Sequence, residues 1–423
     1  MQLPISVYYG NLVQIYLLYP FRDTLLLTNN FYAVFTNDLM NLITFALMEQ
    51  EGLVGKIRKL ALQIGFADMG CAKAQRLSFE AERFMQAQQQ GFFGQMEYLK
   101  RNFEKRTDPT LLVEGAKSVL VFLAPFGSGK IESKPTGNIA GSSTLKISEF
   151  AYGADYHTVI KERLNRVAYF IDSTVNSEHN TAAETVAATL NTTPNFKKYK
   201  SLTCRVFTDS APIMERAWAV KAGLGFIGKN NFLISPTCGV KNFIGVIITT
   251  VEIEPTATES EAIATTTATV AKNKPLAAEN ERNLTVPSCG NCTLCIEACS
   301  QKALFAPRSI DARKCLSYKT IEEPLGDSDD KSRQPVAATE KWIFGCDCCM
   351  NICPWNRFNK EGWSEFRSNY QLLSTKGATA EFWRALTEEQ FKTIFANTPL
   401  MRAGIKKIIN NIERYEDNNT GRD

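Results

Sequence analysis

Nine of the twelve cysteines of this 423-residue chain lie between positions 289 and 353, and no other feature constrains the fold as strongly. The stretch "CGNCTLCIEAC" spaces four of them as C-x2-C-x2-C-x3-C, which is the spacing of bacterial ferredoxins. In that arrangement the fourth cysteine ligates a different cluster from the first three, so a second group of cysteines is needed. The later stretch "GCDCCMNICPWN" supplies that group. The spacing therefore predicts a module that holds two 4Fe–4S clusters.

The two groups of cysteines must exchange ligands if each cluster is to have four. The first predicted ligand set consists of Cys289, Cys292, Cys295 and Cys353. The second predicted set consists of Cys299, Cys315, Cys346 and Cys349, which leaves Cys348 over. Two zinc sites with four cysteines each are the alternative, but zinc modules typically separate two C-x2-C pairs instead of placing three thiols at successive threes.

Composition places the chain among ordinary globular proteins. Its 44% hydrophobic and 22% charged residues are typical of a chain with a packed core, and 423 residues allow two or three domains. A disulfide scaffold is disfavoured because the chain is long and shows no signal peptide, so we predict a cytoplasmic protein. The net charge of +4 is too small to argue for a nucleic-acid partner.

Residues 1–50 form an atypical N-terminal extension with few charges and many Tyr, Phe and Leu side chains. Residues 1–21 carry no charge, so a membrane span is possible on length alone. Pro4, Gly10 and Pro20 interrupt the apolar run, which favours a nonessential extension or coding sequence upstream of the real start. We therefore expect no stable membrane association.

Residues 51–255 alternate between helix and strand patterns, which predicts an α/β domain with an insertion at 176–196. The predicted helices include 155–175 and the stretch "APIMERAWAVKAG", and the predicted strands include 117–126, 204–209 and 242–253. The later segments are predicted as a low-complexity insertion at 256–285, a ferredoxin-like two-cluster module at 286–358 and a helical C-terminal region at 359–423.

Several blocks of the chain resemble epoxyqueuosine reductases, the cobalamin-dependent enzymes that complete queuosine in tRNA. The blocks are "EKRTDP", "AYGADYH", "DSAPIMERAWAVKAGLGFIGKN", "CGNCTLCIEAC", "DARKCLSYKTIE" and "GCDCCMNICPWN". The resemblance implies a cobalamin-binding α/β domain, a ferredoxin module with two clusters and a helical C-terminal part. It also implies the reaction, which is the reduction of epoxyqueuosine to queuosine at the wobble position of tRNA, the last step of queuosine biosynthesis.

The resemblance assigns the proton donor to Asp209 in "FTDSAP". The departing epoxide oxygen is a poor leaving group, so a neutral acid must stand beside it, and we expect burial to keep Asp209 protonated at neutral pH. The residues alone favour another role for Asp209, as the N-cap of the helix that follows. Asp155 and His157 in "ADYH" are a rival acid pair, or else they cap the helix predicted at 155–175.

The resemblance also implies the cofactors, which are cob(II)alamin and two 4Fe–4S clusters. Carried over position by position, the cobalamin contacts are Arg106, Ser148, Asp209, Leu233, Ile244, Ser317, Asp347 and Cys348. The guanidinium of Arg106 suits the amides and the phosphate of the corrinoid, whereas Leu233 and Ile244 are expected to contact it through backbone groups. Glu149 and Phe150 depart from the Arg and Tyr that the family often has at these positions.

The partners that the resemblance implies are a tRNA with epoxyqueuosine in its anticodon loop and an external low-potential electron donor, and we expect a monomer. Five cations are candidates for phosphate contacts: Lys229, Lys241, Arg357, Arg402 and Lys406. Three alternative functions remain. They are a reductive dehalogenase, which usually carries a twin-arginine signal absent here, an electron-transfer ferredoxin protein without its own catalysis, and an RNA-binding module with structural clusters.

Overall fold

A four-stranded sheet lies at the centre of residues 52–257. The computed structural model describes residues 52–127, 144–176, 199–257, 287–305, 308–325 and 341–420. The strands are β1 Asp68–Lys73, β2 Ser118–Pro125, β3 Lys146–Ile147, β4 Cys204–Phe207, β5 Phe226–Ile227, β6 Leu233–Ile234, β7 Asn242–Thr249, β8 Leu304–Phe305, β9 Ser309–Ile310 and β10 Trp342–Phe344. The α-helices are α1 Leu53–Ile64, α2 Ser78–Gln89, α3 Glu97–Lys100, α4 Phe103–Thr107, α5 Tyr156–Asn176, α6 Glu215–Lys221, α7 Leu294–Glu297, α8 Cys348–Asn351, α9 Tyr370–Ser374, α10 Ala380–Ala385, α11 Glu388–Ile394 and α12 Gly404–Thr420.

The sheet has the strand order β1–β2–β7–β4, and every neighbouring pair is antiparallel. β2 pairs with β7 over its whole length, from Ser118 opposite Thr249 to Pro125 opposite Asn242. Every residue of β2 is buried, which accounts for its unbroken apolar sequence, because both faces of the sheet are covered. Alternating helices and strands usually build a parallel sheet, so the antiparallel pairing is a feature that the sequence did not reveal.

Helices cover both faces of this sheet. On one face, side chains of β2 and β7 such as Val121 and Val246 pack with Trp218 of α6. On the other face, α1 and α5 lie against the strands. α5 approaches β7 at Gly245, where a Cβ atom would lie 3.0 Å from the side chain of Ile160. The sheet is therefore held rigidly, and the turns that leave its strands are positioned by a packed core.

A second hydrophobic core lies among the C-terminal helices. It is built around the parallel strand pair β3–β10 and includes Trp383 of α10, Phe391 of α11 and Ile408 of α12. Because β3 belongs to the first part of the chain and β10 to the cysteine-rich part, this core joins segments that the sequence assigns to three different domains. The sequence carries no signal for that pairing, since both strands are only two or three residues long.

The strands predicted at 117–126, 204–209 and 242–253 are present as β2, β4 and β7. The helix predicted from "APIMERAWAVKAG" begins only at Glu215, because the residues before it form an irregular turn. The extension and most of both insertions lie outside the described residues, and so does the apolar run at 1–21. Within the ranges that the structure describes, no helix has the length and hydropathy to cross a membrane.

Candidate active site

The four cysteines of the first predicted ligand set surround one cavity. Its volume is about 130 Å³, and its lining consists of Cys289, Cys292, Cys295, Cys353, Lys229, Asn230, Ile234, Pro354 and Trp355. Cys295 lies on α7, whereas Cys353 directly precedes a 3-10 turn at Pro354–Phe358, so two segments distant in sequence converge here. Nowhere in the described part of the chain do three Cys, His, Asp or Glu side chains come close enough to hold a single metal ion. Four thiols around one cavity match the Cys₄ ligation of an iron–sulfur cluster.

In the second predicted ligand set, Cys349 lies close enough to Cys315 and Cys299 to interact electrostatically with both. Burial and the adjacent charges of Cys315 and Cys299 raise the pKa of the Cys349 thiol. A hydrogen bond with Cys348, and then burial, raises the pKa of Cys346. Thiols crowded in this way ionise readily only beside a cation, and a metal cluster supplies that charge. Cys348, the cysteine left over by the spacing, is therefore a direct neighbour of a predicted ligand.

Two consecutive residues connect the cysteine loops to the sheet domain. They lie in the turn "GKNN" between β5 and β6, which form a two-stranded hairpin. Lys229 Nζ donates to the carbonyl oxygens of Gly290 and Cys292, each at 2.9 Å, and Asn230 Nδ2 donates to the carbonyl oxygen of Cys349 at 3.3 Å. Each residue therefore bonds a loop of a different cysteine set. Lys229 is one of the candidate phosphate contacts, and its ammonium group already bonds two backbone carbonyls.

A buried hydrogen-bond network lies next to the second cysteine set. Asp347, which is 4% exposed, accepts from the Ser148 hydroxyl and, at 2.8 Å, from the backbone N–H of Glu149. Burial raises the pKa of Asp347. Gly345 permits this approach, since its φ is +70° and a Cβ atom there would lie 2.4 Å from Ser148 Cβ. The Glu149 side chain forms an ion pair with Lys241, which engages another of the candidate phosphate contacts.

Asp209 lies on the turn between β4 and α6, where it meets Tyr156 and Glu215. The Tyr156 hydroxyl donates to Asp209 Oδ2 at 2.6 Å, and the Asp209 N–H donates to Glu215 Oε1 at 2.5 Å. Asp209 has φ +47°, a left-handed conformation that is strained for a residue with a Cβ atom. The expectation that Asp209 is buried is wrong, because the turn carries it to an exposed position beyond the end of β4. The N-cap role is wrong as well, since Met214 occupies that position and no side chain caps α6.

A second carboxyl group at this turn belongs to Glu215. Burial and the charge of Asp209 raise the pKa of the Glu215 carboxyl to about 8. Burial and the same Asp209 charge also raise the pKa of the Tyr156 hydroxyl, which therefore stays a donor. Sequence reasoning missed both residues as site residues. Each stands inside a quoted block, but no spacing or periodicity separates it from its neighbours.

Aromatic rings connect Tyr156 to the second cysteine set. Tyr156 stacks on Phe243 with the ring centroids 4.2 Å apart, and it meets the edge of Phe150 at 6.5 Å. Phe150 in turn contacts Phe344 at 5.8 Å, and Phe344 lies two residues before Cys346. A continuous series of ring contacts thus runs from Tyr156, beside the carboxyl groups, to the loop that holds Cys346.

The rival acid pair, Asp155 and His157, interacts with itself and with the start of α5. Oδ1 of Asp155 accepts from the His157 N–H at 3.0 Å and lies 2.6 Å from His157 Nδ1. These hydrogen bonds outweigh burial and lower the pKa of Asp155. The Asp155 carbonyl accepts from the backbone N–H of Thr158 and of Val159. Asp155 therefore precedes α5 and accepts from N–H groups of its first turn, which is the structural role considered for it.

Arg106 has a hydrogen-bond donor without a partner. Its Nε is buried and finds no acceptor among the described residues, while its Nη2 donates weakly to the Tyr98 carbonyl at 3.4 Å. Burial lowers the pKa of Arg106, and the charges of Tyr98 and Asp209 oppose that shift, so the guanidinium lies within electrostatic reach of the acid. A buried guanidinium donor without an acceptor fits a ligand with phosphate or amide oxygens. Arg402 differs, because it pairs with Glu322 at 2.8 Å.

Three more residues are expected to contact a corrinoid, and they lie in the core of the sheet domain or next to a predicted cluster ligand. Leu233 of β6 and Ile244 of β7 belong to the core of the sheet and are 7% and 8% exposed. The Ile244 carbonyl accepts from the hydroxyl of Thr208, the residue before Asp209, at 2.9 Å. Ser317 precedes a π-helical turn at Tyr318–Glu322, two residues after a predicted cluster ligand. Their contacts with a cofactor stay predictions.

Comparison with known proteins identifies two family models in the chain. One is described as epoxyqueuosine reductase QueG, DUF1730, and matches residues 106–210. The other is described as a 4Fe-4S double cluster binding domain and matches residues 288–356, which include all eight predicted ligand cysteines. The chain therefore carries a double-cluster domain in the region that the cysteine spacing indicates.

Curated relatives extend the match over most of the chain. The epoxyqueuosine reductase of Cyclobacterium marinum is 33% identical over 82% of this chain and 91% of its own length. That of Cellulophaga algicola is 31% identical over 84% of this chain and 95% of its own length.

Solved structures show the same fold. An epoxyqueuosine reductase from Streptococcus thermophilus is 22% identical with a TM-score of 0.62, over 88% of this chain and 82% of that one. A structure of an epoxyqueuosine reductase with an epoxyqueuosine-modified stem loop of tRNA-Tyr is 21% identical with a TM-score of 0.61, over 86% and 80%. Because a third of the residues are shared with a relative along nearly its entire length, and the fold is shared as well, the chain belongs to the epoxyqueuosine reductase family of oxidoreductases.

Proposed function

We propose that this enzyme reduces epoxyqueuosine to queuosine at the wobble position of a tRNA, with Asp209 as the proton donor. The observation that carries the proposal is the "FTDSAP" turn, in which a strained and exposed carboxyl group is held between Tyr156 and Glu215. An exposed acid suits a substrate as large as an anticodon loop. A related enzyme has been solved with such a stem loop, which supports the same substrate here.

In this proposal, the residues of the turn carry out the proton transfer. Removal of the epoxide oxygen as water consumes two electrons and two protons, and the oxygen leaves readily only when it is protonated. Asp209 transfers one proton from its carboxyl group to that oxygen and becomes a carboxylate, and solvent supplies the second proton of the departing water. The Tyr156 hydroxyl, 2.6 Å from Oδ2, orients the carboxyl and stabilises the carboxylate that forms. Asp209 is exposed, so solvent restores its proton after each turnover.

Cobalamin is the cofactor that we propose to bind beside this turn. The fit rests on Arg106, whose buried Nε has no acceptor among the described residues and which interacts electrostatically with Asp209. Arg106 would hold a phosphate or amide oxygen of the corrinoid, and the remaining contacts would come from Ser148, Leu233, Ile244, Ser317, Asp347 and Cys348. When bound, cobalamin supplies the reductive chemistry at the substrate carbon.

The ligands of the two clusters follow the crossed assignment. We assign one cluster to Cys289, Cys292, Cys295 and Cys353, and the other to Cys299, Cys315, Cys346 and Cys349. The cavity supports the first set because it brings Cys353 to the three cysteines of the ferredoxin run. The pKa shifts of Cys349 and Cys346 support the second, since their causes include neighbouring cysteines. These clusters pass single electrons from an external low-potential donor, and the protein is proposed to work as a cytoplasmic monomer.

Lys229→Met is expected to lower the reduction potential of the adjacent cluster by on the order of 60 mV. The ammonium group of Lys229, bonded to two carbonyls of the cluster loop, favours the more negative reduced state of the cluster. An anaerobic redox titration followed by electron paramagnetic resonance measures the change. Lys229→Arg retains the charge and should stay close to the parent protein. Equal potentials in the Met variant and the parent would contradict this role.

A genetic and a binding experiment together test the proposed function. In a strain that lacks its own epoxyqueuosine reductase, expression of this chain should convert accumulated epoxyqueuosine to queuosine, as measured by mass spectrometry of tRNA nucleosides. Anaerobically reconstituted protein should also retain a corrinoid, and Arg106→Met should weaken that binding. An electron-transfer ferredoxin protein would hold clusters without a corrinoid, and an RNA-binding module would leave the nucleosides unchanged. Either result would overturn the proposal.

A further inference from the structure

Lys319 is a buried cation beside a predicted ligand of the second cluster, and no part of the proposed reaction uses it. It lies in the π-helical turn at Tyr318–Glu322 and is only 1% exposed. Its backbone N–H donates to the Cys315 carbonyl at 3.0 Å, and its charge interacts with that of the Cys315 thiol. Because protein and not water surrounds the ammonium group, its charge is screened little on this side.

The Lys319 side chain also reaches the segment that carries another ligand of the same set. Its Nζ donates to Gln301 Oε1 in a long hydrogen bond of 3.5 Å, and Gln301 lies two residues after Cys299. This segment folds back on Cys299, since the N–H of Lys302 donates to the Cys299 carbonyl at 2.9 Å and the N–H of Ala303 donates to Cys299 Sγ at 3.3 Å. Lys319 therefore connects the segments of two ligands that are distant in sequence.

Gln301 has a buried donor without a partner. Its Nε2 is enclosed and finds no acceptor among the described residues. Buried side-chain donors in folded proteins nearly always have an acceptor, so one that the polypeptide leaves unsatisfied fits an acceptor of another kind. The sulfur atoms of an iron–sulfur cluster are such acceptors, and hydrogen bonds to them help to set its reduction potential. The Ala303 N–H already makes a contact of this type with the Cys299 sulfur.

Resting on the ligand assignment proposed above, we propose that Lys319 and Gln301 act as a pair that raises the reduction potential of the second cluster. The ammonium group favours the reduced state, which is the more negative one. Its donation to Oε1 also polarises the Gln301 amide and strengthens Nε2 as a donor to cluster sulfur. Neither residue touches the substrate, since both act through the cluster. A second cluster that holds its electron more firmly stays reduced between encounters with the external donor.

The test is an anaerobic redox titration of the reconstituted protein, followed by electron paramagnetic resonance. Lys319→Met keeps the apolar stem of the side chain and removes its charge. Reduction of the second cluster should become less favourable by about tenfold, which is about 59 mV for one electron. Gln301→Met should make it less favourable by about threefold, because one hydrogen bond is lost. The step that remains in Cys353→Ala, which lacks a ligand of the first cluster, identifies the second cluster.

Two further variants serve as controls. Lys319→Arg retains the charge and should recover most of the shift. Lys407→Met removes another buried cation, one that is 3% exposed and donates to the Glu323 carbonyl, and both potentials should stay in place. Parent potentials in Lys319→Met, or an equal shift in Lys407→Met, would overturn the inference. If Lys319→Met does not assemble the second cluster, Gln301→Met decides, and an unchanged potential there rejects the pair.

This titration is independent of the experiments on the proposed function. It needs neither tRNA nor corrinoid, so the shift is measurable whether or not the chain converts epoxyqueuosine. A parent protein that assembles a single cluster would overturn the ligand assignment itself. A parent protein with two clusters, whose potentials are the same in Lys319→Met and Gln301→Met, would overturn only the role of this pair.

Discussion

Asp209→Asn is expected to keep both clusters and the fold while reducing epoxyqueuosine more slowly by about 10²- to 10⁴-fold. The amide has no proton to give to the departing oxygen, so the loss falls on the chemical step. The substitution is also well matched to the site. Asn tolerates the left-handed conformation that Asp209 adopts, at φ +47°, and it retains an oxygen that accepts from the Tyr156 hydroxyl.

The measurement is single-turnover reduction with the enzyme in excess over the modified stem loop, so that electron supply and product release do not limit the rate. Asp155→Asn is the matched control, because Asp155 precedes α5 and interacts with His157. Because Asn accepts from the His157 N–H as Asp does, that variant should keep its unfolding free energy and most of its rate. Comparable rate losses in the two variants would argue that the turn has a structural role only.

Cys353→Ala is expected to remove one of the two clusters and about half of the iron, and to abolish turnover. Cys353 is the member of the first ligand set that comes from the second cysteine group, and it lines the same cavity as Cys289, Cys292 and Cys295. Without it the first cluster has three thiolates and lies open to solvent. The second cluster retains all four of its ligands, so its signal should persist.

Cys348→Ala is the matched control for this experiment, because Cys348 belongs to the same cysteine group as Cys353 and is not assigned as a ligand. Iron and sulfide content, together with electron paramagnetic resonance of the reduced protein, should be the same as in the parent. Loss of a cluster in Cys348→Ala, with both clusters retained in Cys353→Ala, would reverse the assignment of these two thiols.

The apolar strands and the region of the double-cluster domain are the features that the sequence predicted well. An eight-residue run such as β2 is informative because both of its faces are buried, so every side chain reports the same environment. The ferredoxin spacing is informative because a rule of geometry sends its fourth cysteine to another cluster. In both cases a pattern within one short stretch of sequence is enough to make the prediction.

The features that were missed depend on contacts between distant segments. Glu215 and Tyr156 come together only because the turn after β4 and the start of α5 meet beside Asp209. In the sequence, Lys229 cannot be told from an ordinary surface cation, because its partner, the Gly290 carbonyl, is distant along the chain. The burial expected for Asp209 was wrong for a related reason, since a residue at the end of a strand is buried only if another element covers it.

The hairpin β5–β6 bonds both cysteine loops through two neighbouring side chains, Lys229 and Asn230. Loss of either cluster to oxygen would therefore disturb the hairpin as well as its own loop. Through the hairpin, the disturbance would reach the loop of the other cluster. We therefore expect the maturation of the two proposed centres to be coupled to the folding of the chain through this hairpin. A cell that is short of iron would then accumulate incompletely assembled chains in place of enzyme with half its electron path.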